Sequence, residues 1–516
     1  MVSVTREFRR FYERLTGQPV RIYDRSVVEQ GGNAFFLIRV GYERKLIVVA
    51  LGSQPSPKDF TAEGQGELVF EGEGMAHRYQ VCPCNHPNAK RLREHFTFTR
   101  PNVVGSALAA GMGDRIGLAT PAHIRAAKRF GVLPVLAQQS IREMNRTKRS
   151  PHEVLDDVSW AVFQEGYHGG FAADADHLKN EEDIAATFEA GFTMFTLDPS
   201  DYVDDLTGEY GIALLERKFK KLPWKELGCG PQEYCERYLN KRFQIRSQHH
   251  VLNVEFTREA LYRVAVKYSS ALAHVRALVE YLKDLSGENF DLEISIDETN
   301  TPTSPSEHLF IASELKRLGI PIRSLAPRFV GRFEKGVDYI GAIDEFERAF
   351  RDHVLIARHW GYKLGIHSGS DKFSIYPIMG ELGGDTIHLK TAGTSYLEAL
   401  RIVARHDPQL FRRVVCYALE RFGEDRKAYQ ISADPSALPD PGEVGDGALE
   451  EVFLNENNGR QVMHITYGSI LTAKGGKGWL FRDRMREVLM DHEDEFYQTV
   501  ASHLKRHFRA LGFVGG

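Results

Sequence analysis

The chain has no apolar run near the roughly twenty residues that span a bilayer, so no membrane partner is expected. It has no block of charge of one sign either. Its 66 Lys and Arg against 70 Asp and Glu leave a net charge of -4, which argues against a nucleic-acid partner and for a small-molecule one. Cysteine is scarce: five in 516 residues is no disulfide framework. The first ten residues lack the apolar centre of a secretion signal. Both features point to a cytoplasmic protein with reduced thiols. No Gly-x-Gly-x-x-Gly follows a first strand, which removes the usual support for a dinucleotide fold. Cys82, Cys84 and His86 lie close together, but no second ligand pair follows, so a packed loop is the better reading than a zinc knuckle.

What is present is a change of rhythm. From about residue 18 to 82, short apolar runs at 20–23, 34–40, 45–51, 67–70 and 77–81 alternate with turns, which predicts a small β-rich domain over 1–100. Beyond Pro101, apolar runs alternate with helical stretches, the pattern of repeated strand-helix units. The expected strands are 115–119, 132–137, 170–175, 192–197, 292–296, 322–326, 363–366 and 386–389. Eight such units predict an α/β fold, a (β/α)8 TIM-type barrel over 101–395 with a helical insertion at about 199–288. Helical periodicity over 396–516 predicts a C-terminal extension packed on the barrel. An oligomer is left open.

A barrel of this type takes its reactive groups from the C-terminal ends of its strands. The segment from Gly169 to Leu178 is the clearest case, because an apolar run ends in Asp174, Asp176 and His177. The two aspartates are two residues apart and share a face, and His177 joins them only if the strand bends. The first strand has Asp114 and Arg115 at its entry, and other strands end in Gln138 and Arg142, in Asp198, in Asp297 and Glu298, in His367, Asp371 and Lys372, and in His388 and Lys390. His177, Glu298 and His367 come from the third, fifth and seventh strands, so they can converge as ligands of a divalent metal. Mixed imidazole and carboxylate donors suit Zn, Mn, Fe or Ni. Taken singly, Asp297 and Glu298 would cap a helix and His367 would be a core histidine. Glycines at 380–384 and 393 follow the last two strands, where barrels hold anionic groups.

Gly113-Asp-Arg115, Ala173-Asp-Ala-Asp-His177, Asp297-Glu-Thr299, Ile366-His-Ser-Gly-Ser-Asp-Lys-Phe373 and His464-Ile-Thr-Tyr-Gly468 together resemble the tagaturonate/fructuronate epimerase family, over about 105–468. The resemblance implies a metal-dependent barrel epimerase acting on keto-uronates, with relatives acting on the tagatose/fructose pair. The inverted carbon is β to the ketone, so enolisation cannot reach its hydrogen, and a retro-aldol cleavage with re-addition can. On this reading Asp176 and Lys372 are the acid/base pair, and Arg115, Arg142 and Lys390 grip the substrate carboxylate. Asp114, Gln138, Asp174, Asp198, Asp297 and Asp371 are further substrate contacts, and His464 reaches the site from the C-terminal region. The competing readings are a metal-dependent sugar-phosphate aldolase or isomerase and a non-catalytic sugar-binding protein.

Overall fold

The computed structural model describes residues 2–51, 59–70, 75–105, 107–248, 250–476 and 478–515. After an opening helix at Val2–Thr16 come strands β1 (Val20–Ile22), β2 (Val28–Gln30), β3 (Asn33–Val40), β4 (Glu43–Ala50), β5 (Gly64–Val69) and β6 (Ala76–Pro83). They form one antiparallel sheet in the order β1-β3-β4-β6-β5, with β2 on β3. Alternation along β3 sorts its side chains. Ala34, Phe36 and Ile38 pack with Phe8 of the opening helix, while Phe35 and Leu37 pack with Trp160 and Phe163 of the helix Pro151–Gln164. The second face therefore shares its core with the α/β body.

That body is built on β7 (Ala109–Gly111), β8 (Leu133–Val135), β9 (Gln139–Ser140), β10 (Asp174–Leu178) and β11 (Met194–Leu197). A hairpin follows, β12 (Arg242–Arg246) with β13 (Val251–Glu255), and then β14 (Asp291–Ile296), β15 (Ser324–Pro327), β16 (Lys363–Ile366) and β17 (Ile387–Lys390). Nine strands make a curled parallel sheet in the order β8-β7-β17-β16-β15-β14-β11-β10-β9. Its two end strands are neighbours in the chain, and Val135 bridges to Ala172, just ahead of β10. Between β11 and β14 lie short helices, the hairpin and the long helix Arg258–Ser286.

The expected first strand at 115–119 is corrected. Asp114 accepts backbone N–H bonds from Ile116, Gly117, Ala119 and Thr120, which holds this stretch as a loop leading into the helix Thr120–Phe130. The strand is Ala109–Gly111 instead, paired with β17 and β8. Helices dominate after β17, from Thr394–His406 to Glu493–Ala510. No helix among the described residues is long and apolar enough to cross a membrane. Cys82 is buried in the sheet core and His86 bonds Asp156, so this loop is packed, as expected.

Candidate functional site

A cavity of about 340 Å³ opens where the parallel strands end. Gln138, Asp176, His177, Asp297, His367 and Lys390 line one side, and the segments 327–335 and 428–430 line the other. Several strand ends reach it through backbone that L-residues rarely adopt: Ala137, His177 and Ser368 have φ of 51°, 56° and 49°. At His177 this is the bend that the motif requires, and the β10 register shifts between Ala175 and Leu178.

Imidazoles and carboxylates converge at the centre. Asp297 Oδ1 lies 3.4 Å from His177 Nε2 and 3.4 Å from His367 Nδ1. Glu298 Oε1 is 3.9 Å from His177 Nε2 and accepts from Arg142 at 2.8 Å. His177 Nδ1 lies 3.0 Å from Asp176 Oδ1, and His367 Nε2 donates to Glu293 Oε1 at 2.6 Å. Burial opposes charge on both rings, but the carboxylates outweigh it. Asp176 and Asp297 hold His177 well above its ordinary value, and His367 rises to about 9 even against the repulsion of Lys390.

Lys390 stands deeper. Its ammonium lies 2.8 Å from Asp174, 2.9 Å from Asp176 and 2.6 Å from Glu293, and donates to Thr196 Oγ1 at 2.7 Å. Burial disfavours charge throughout this cluster, and Lys390 decides which carboxylates ionise. Asp176, which also accepts from Gln138 at 2.9 Å, is held well below the carboxylate range, whereas Asp174 is pushed up to about 6 by burial and by its acidic neighbours.

The structure brings Arg115, Gln138, Arg142, Asp176, His177, Asp297, Glu298, His367 and Lys390 to this cavity, as the strand ends suggest. Asp174 lies behind it, bound to Lys390. Asp198 does not line the cavity but lies within reach of His177 and Glu298. Three expected contacts are elsewhere. Asp114 caps its own loop. Asp371 pairs with Arg460 at 2.7 Å and receives His503 and His507 from the C-terminal helix. His464 is buried and outside the cavity lining, with its backbone oxygen facing Arg115.

Lys372 also requires correction. It is fully buried, and its Nζ donates to the carbonyls of Glu334, Val337 and Ser370 at 2.9, 2.5 and 3.0 Å. All three N–H bonds are committed to backbone, and Lys372 does not line the cavity. Arg115 spends three of its five N–H donors, two on Glu143 and one on the His464 carbonyl. Sequence reasoning missed Glu293, Glu143 and Lys335. Only Glu293 left a signal, an acid in the middle of the buried run Asp291–Ile296.

The donor set fits a divalent cation. Asp176, His177 and His367 can together offer ligand atoms, as can His177, Asp198 and Glu298. The equal 3.4 Å separations around Asp297 Oδ1 exceed a good hydrogen bond.

Comparisons with known proteins agree with the geometry. The tagaturonate epimerase family matches residues 23–511. The tagaturonate/fructuronate epimerase of Thermotoga maritima is 42% identical over 498 residues, 96% of this chain and 98% of that protein. Crystal structures of the fructuronate-tagaturonate epimerase of Cohnella laeviribosi, native and with one glycerol, superpose with a TM-score of 0.88 at 39% identity, covering 98% of this chain and 99% of that one.

Proposed function

The chain belongs to the tagaturonate epimerase family, and from that premise we propose how it works. It is an isomerase that interconverts tagaturonate and fructuronate. The observation that carries the mechanistic reading is Asp297 Oδ1 set 3.4 Å from each of two imidazoles at the cavity wall. We read the curled sheet as a (β/α)8 barrel whose second strand is the bent segment 133–140, preceded by a β-rich unit over 1–100 and followed by a helical region over 396–516 that covers it. The five cysteines are all unpaired, which suits the cytoplasm.

His177, Glu298 and His367, with Asp297 between the two imidazoles, would hold a divalent metal. Such an ion supplies Lewis-acid stabilisation of the charge that develops beside the ketone. Both imidazoles would serve it in their neutral form.

Asp176 is the base. Lys390 and Gln138 keep its carboxylate ionised and fix its orientation. It takes the proton of the hydroxyl on the carbon β to the ketone. The bond between the α and β carbons then breaks, its electron pair passing into an enediolate while the β carbon becomes an aldehyde. The aldehyde turns, the enediolate adds to its other face, and the new alkoxide is protonated to give the epimer. The second wall, 327–335 with 428–430, excludes water from the fragments during this interval. Lys372 takes no part in the proton transfers. The same chemistry extends to the tagatose/fructose pair, which differ at the same carbon.

The test is turnover of metal-loaded protein on fructuronate with stereochemical analysis of the product. Tagaturonate formed with metal and abolished by EDTA is expected. Obligatory incorporation of solvent deuterium at the inverted carbon would rule out the retro-aldol route.

A further inference from the structure

We propose that Lys335 binds the carboxylate of the substrate and so sets the preference for a uronate over a neutral ketose, an inference that rests on the epimerase reading above. Charge is distributed unevenly around the cavity. The strand ends supply Asp176, Asp297 and Glu298 beside the imidazoles, an end suited to a cation and to hydroxyl and ketone oxygens. The segment 327–335 carries Arg328, Arg332 and Lys335, with the Glu334 carboxylate tied to Ser432 and Gln461. A keto-uronate has the matching polarity, with a ketone at one end and a carboxylate at the other.

Of the cations that line this cavity, most already have acceptors. Arg115 is bound to Glu143, Arg142 to Glu298, and Lys390 to three carboxylates. Arg332 is largely exposed and lies 3.5 Å from Glu334, and Arg328 reaches the Gln430 amide oxygen. Among the described cations that line this cavity, Lys335 alone has no hydrogen bond and no ion pair, although it is half-buried in the wall. An unpaired ammonium at a cavity wall is a ready partner for a carboxylate. The field nearby is also positive. Burial, Arg115, Lys335 and Arg460 together hold His464 well below its ordinary value.

The loop that presents Lys335 is pinned on both sides of it. Lys372 ties down the carbonyls of Glu334 and Val337, and Arg460 Nε donates to the Gly336 carbonyl at 2.7 Å. The Glu334 carboxylate accepts from Ser432 N at 2.8 Å and from Gln461 at 2.9 Å. Polar anchors on Glu334, Gly336 and Val337 leave Lys335 as the unpaired cavity-lining residue of the turn. Lys372 thereby becomes a positioning residue for Lys335. Pre-organisation of this kind is what a recognition group needs, since little entropy is then lost when the substrate binds.

Lys335→Met and Lys335→Arg, assayed with metal and fructuronate, test this. A charge-assisted hydrogen bond remote from the breaking bond is uniform binding, so Met should raise KM by about thirtyfold with kcat within about threefold. Arg should restore most of the loss. An unchanged KM in Lys335→Met, a fall in kcat alone, or failure of Arg to rescue would overturn the assignment. Wild-type protein that turns over neither uronate would instead overturn the epimerase reading, and the same assay shows it. Inorganic phosphate that competes more strongly than acetate with wild type, and equally with Lys335→Met, would also count against a carboxylate site at Lys335.

Discussion

The ammonium of Lys390 lies 2.9 Å from Asp176 Oδ1, joining the last strand of the parallel sheet to β10 across its interior. One cation here serves three buried carboxylates, since Asp174 and Glu293 are also within ion-pair distance. Removing it leaves Asp174 with no ion-pair partner among the described residues, and Asp176 and Glu293 with only the imidazoles of His177 and His367 beside them. Lys390→Met should therefore cost about 3–5 kcal/mol, measured by denaturant unfolding. The loss should shrink as pH falls. Unpaired carboxylates have raised folded-state pKa values, so the folded state takes up protons first and acid favours it. A variant as stable as wild type at pH 7.5 would show that the cluster carries less charge than the geometry implies.

Metal content separates ligands from bases. His177→Ala, Glu298→Ala and His367→Ala should each lose bound metal and activity together, read by elemental analysis of purified protein and by turnover. Asp176→Asn should retain metal while turnover falls by about 100-fold or more, as expected for loss of a general base. Metal lost from Asp176→Asn would make Asp176 a ligand, which its place beside His177 and His367 allows.

The motif around Asp176 and His177 was legible because an apolar run stops there in groups that a core does not tolerate unpaired. The first strand was not. Ile116, Leu118 and Ala119 imitate a strand, but the Asp114 carboxylate collects the backbone N–H groups of Ile116, Gly117, Ala119 and Thr120, and no propensity shows that. The true strand is Ala-Ala-Gly, buried on every side and too short to leave a pattern. Glu293 hid for a related reason. On an open sheet its alternation would place it towards solvent, whereas the curled sheet turns that face into the interior. Lys335 and Lys372 depend on a loop 35 or more residues from its anchor, which a linear reading cannot pair.

Several buried histidines far from the cavity set the acid limit of the fold. Burial lowers His123 and His353 to about 4 and His503 and His507 to about 3. The unfolded imidazole binds its proton near 6.5. Each is thus a depressed group, whose stabilisation is complete above pH 6.5 and is lost as pH falls towards the folded value. The slope is about 1.4 kcal/mol per pH unit for each such histidine. Unfolding free energy should therefore drop steeply between pH 6.5 and 4. His353→Gln should flatten the slope by one proton, because its partner His308 is also held neutral. A flat profile down to pH 5 would contradict the buried neutral state.

Gly393 tests how tightly the Arg115 corner is built. Its φ of 97° suits glycine, and a Cβ there would stand 2.7 Å from both Arg115 Cζ and His464 Nε2. Arg115 gives way only by losing contacts, because its guanidinium lies 3.6 Å over the Tyr467 ring and is bound to Glu143. Gly361 is the matched control: φ is 76° where it caps the helix Ile343–Trp360, and nothing lies within 4 Å of its added Cβ. Both alanine variants should lose about 1 kcal/mol or more from backbone strain. Only Gly393→Ala should also lower kcat/KM on fructuronate, by about tenfold or more, since only there does the methyl displace cavity-lining Arg115. Equal activities would mean that Arg115 moves freely, and that its place at the cavity wall is not required for turnover.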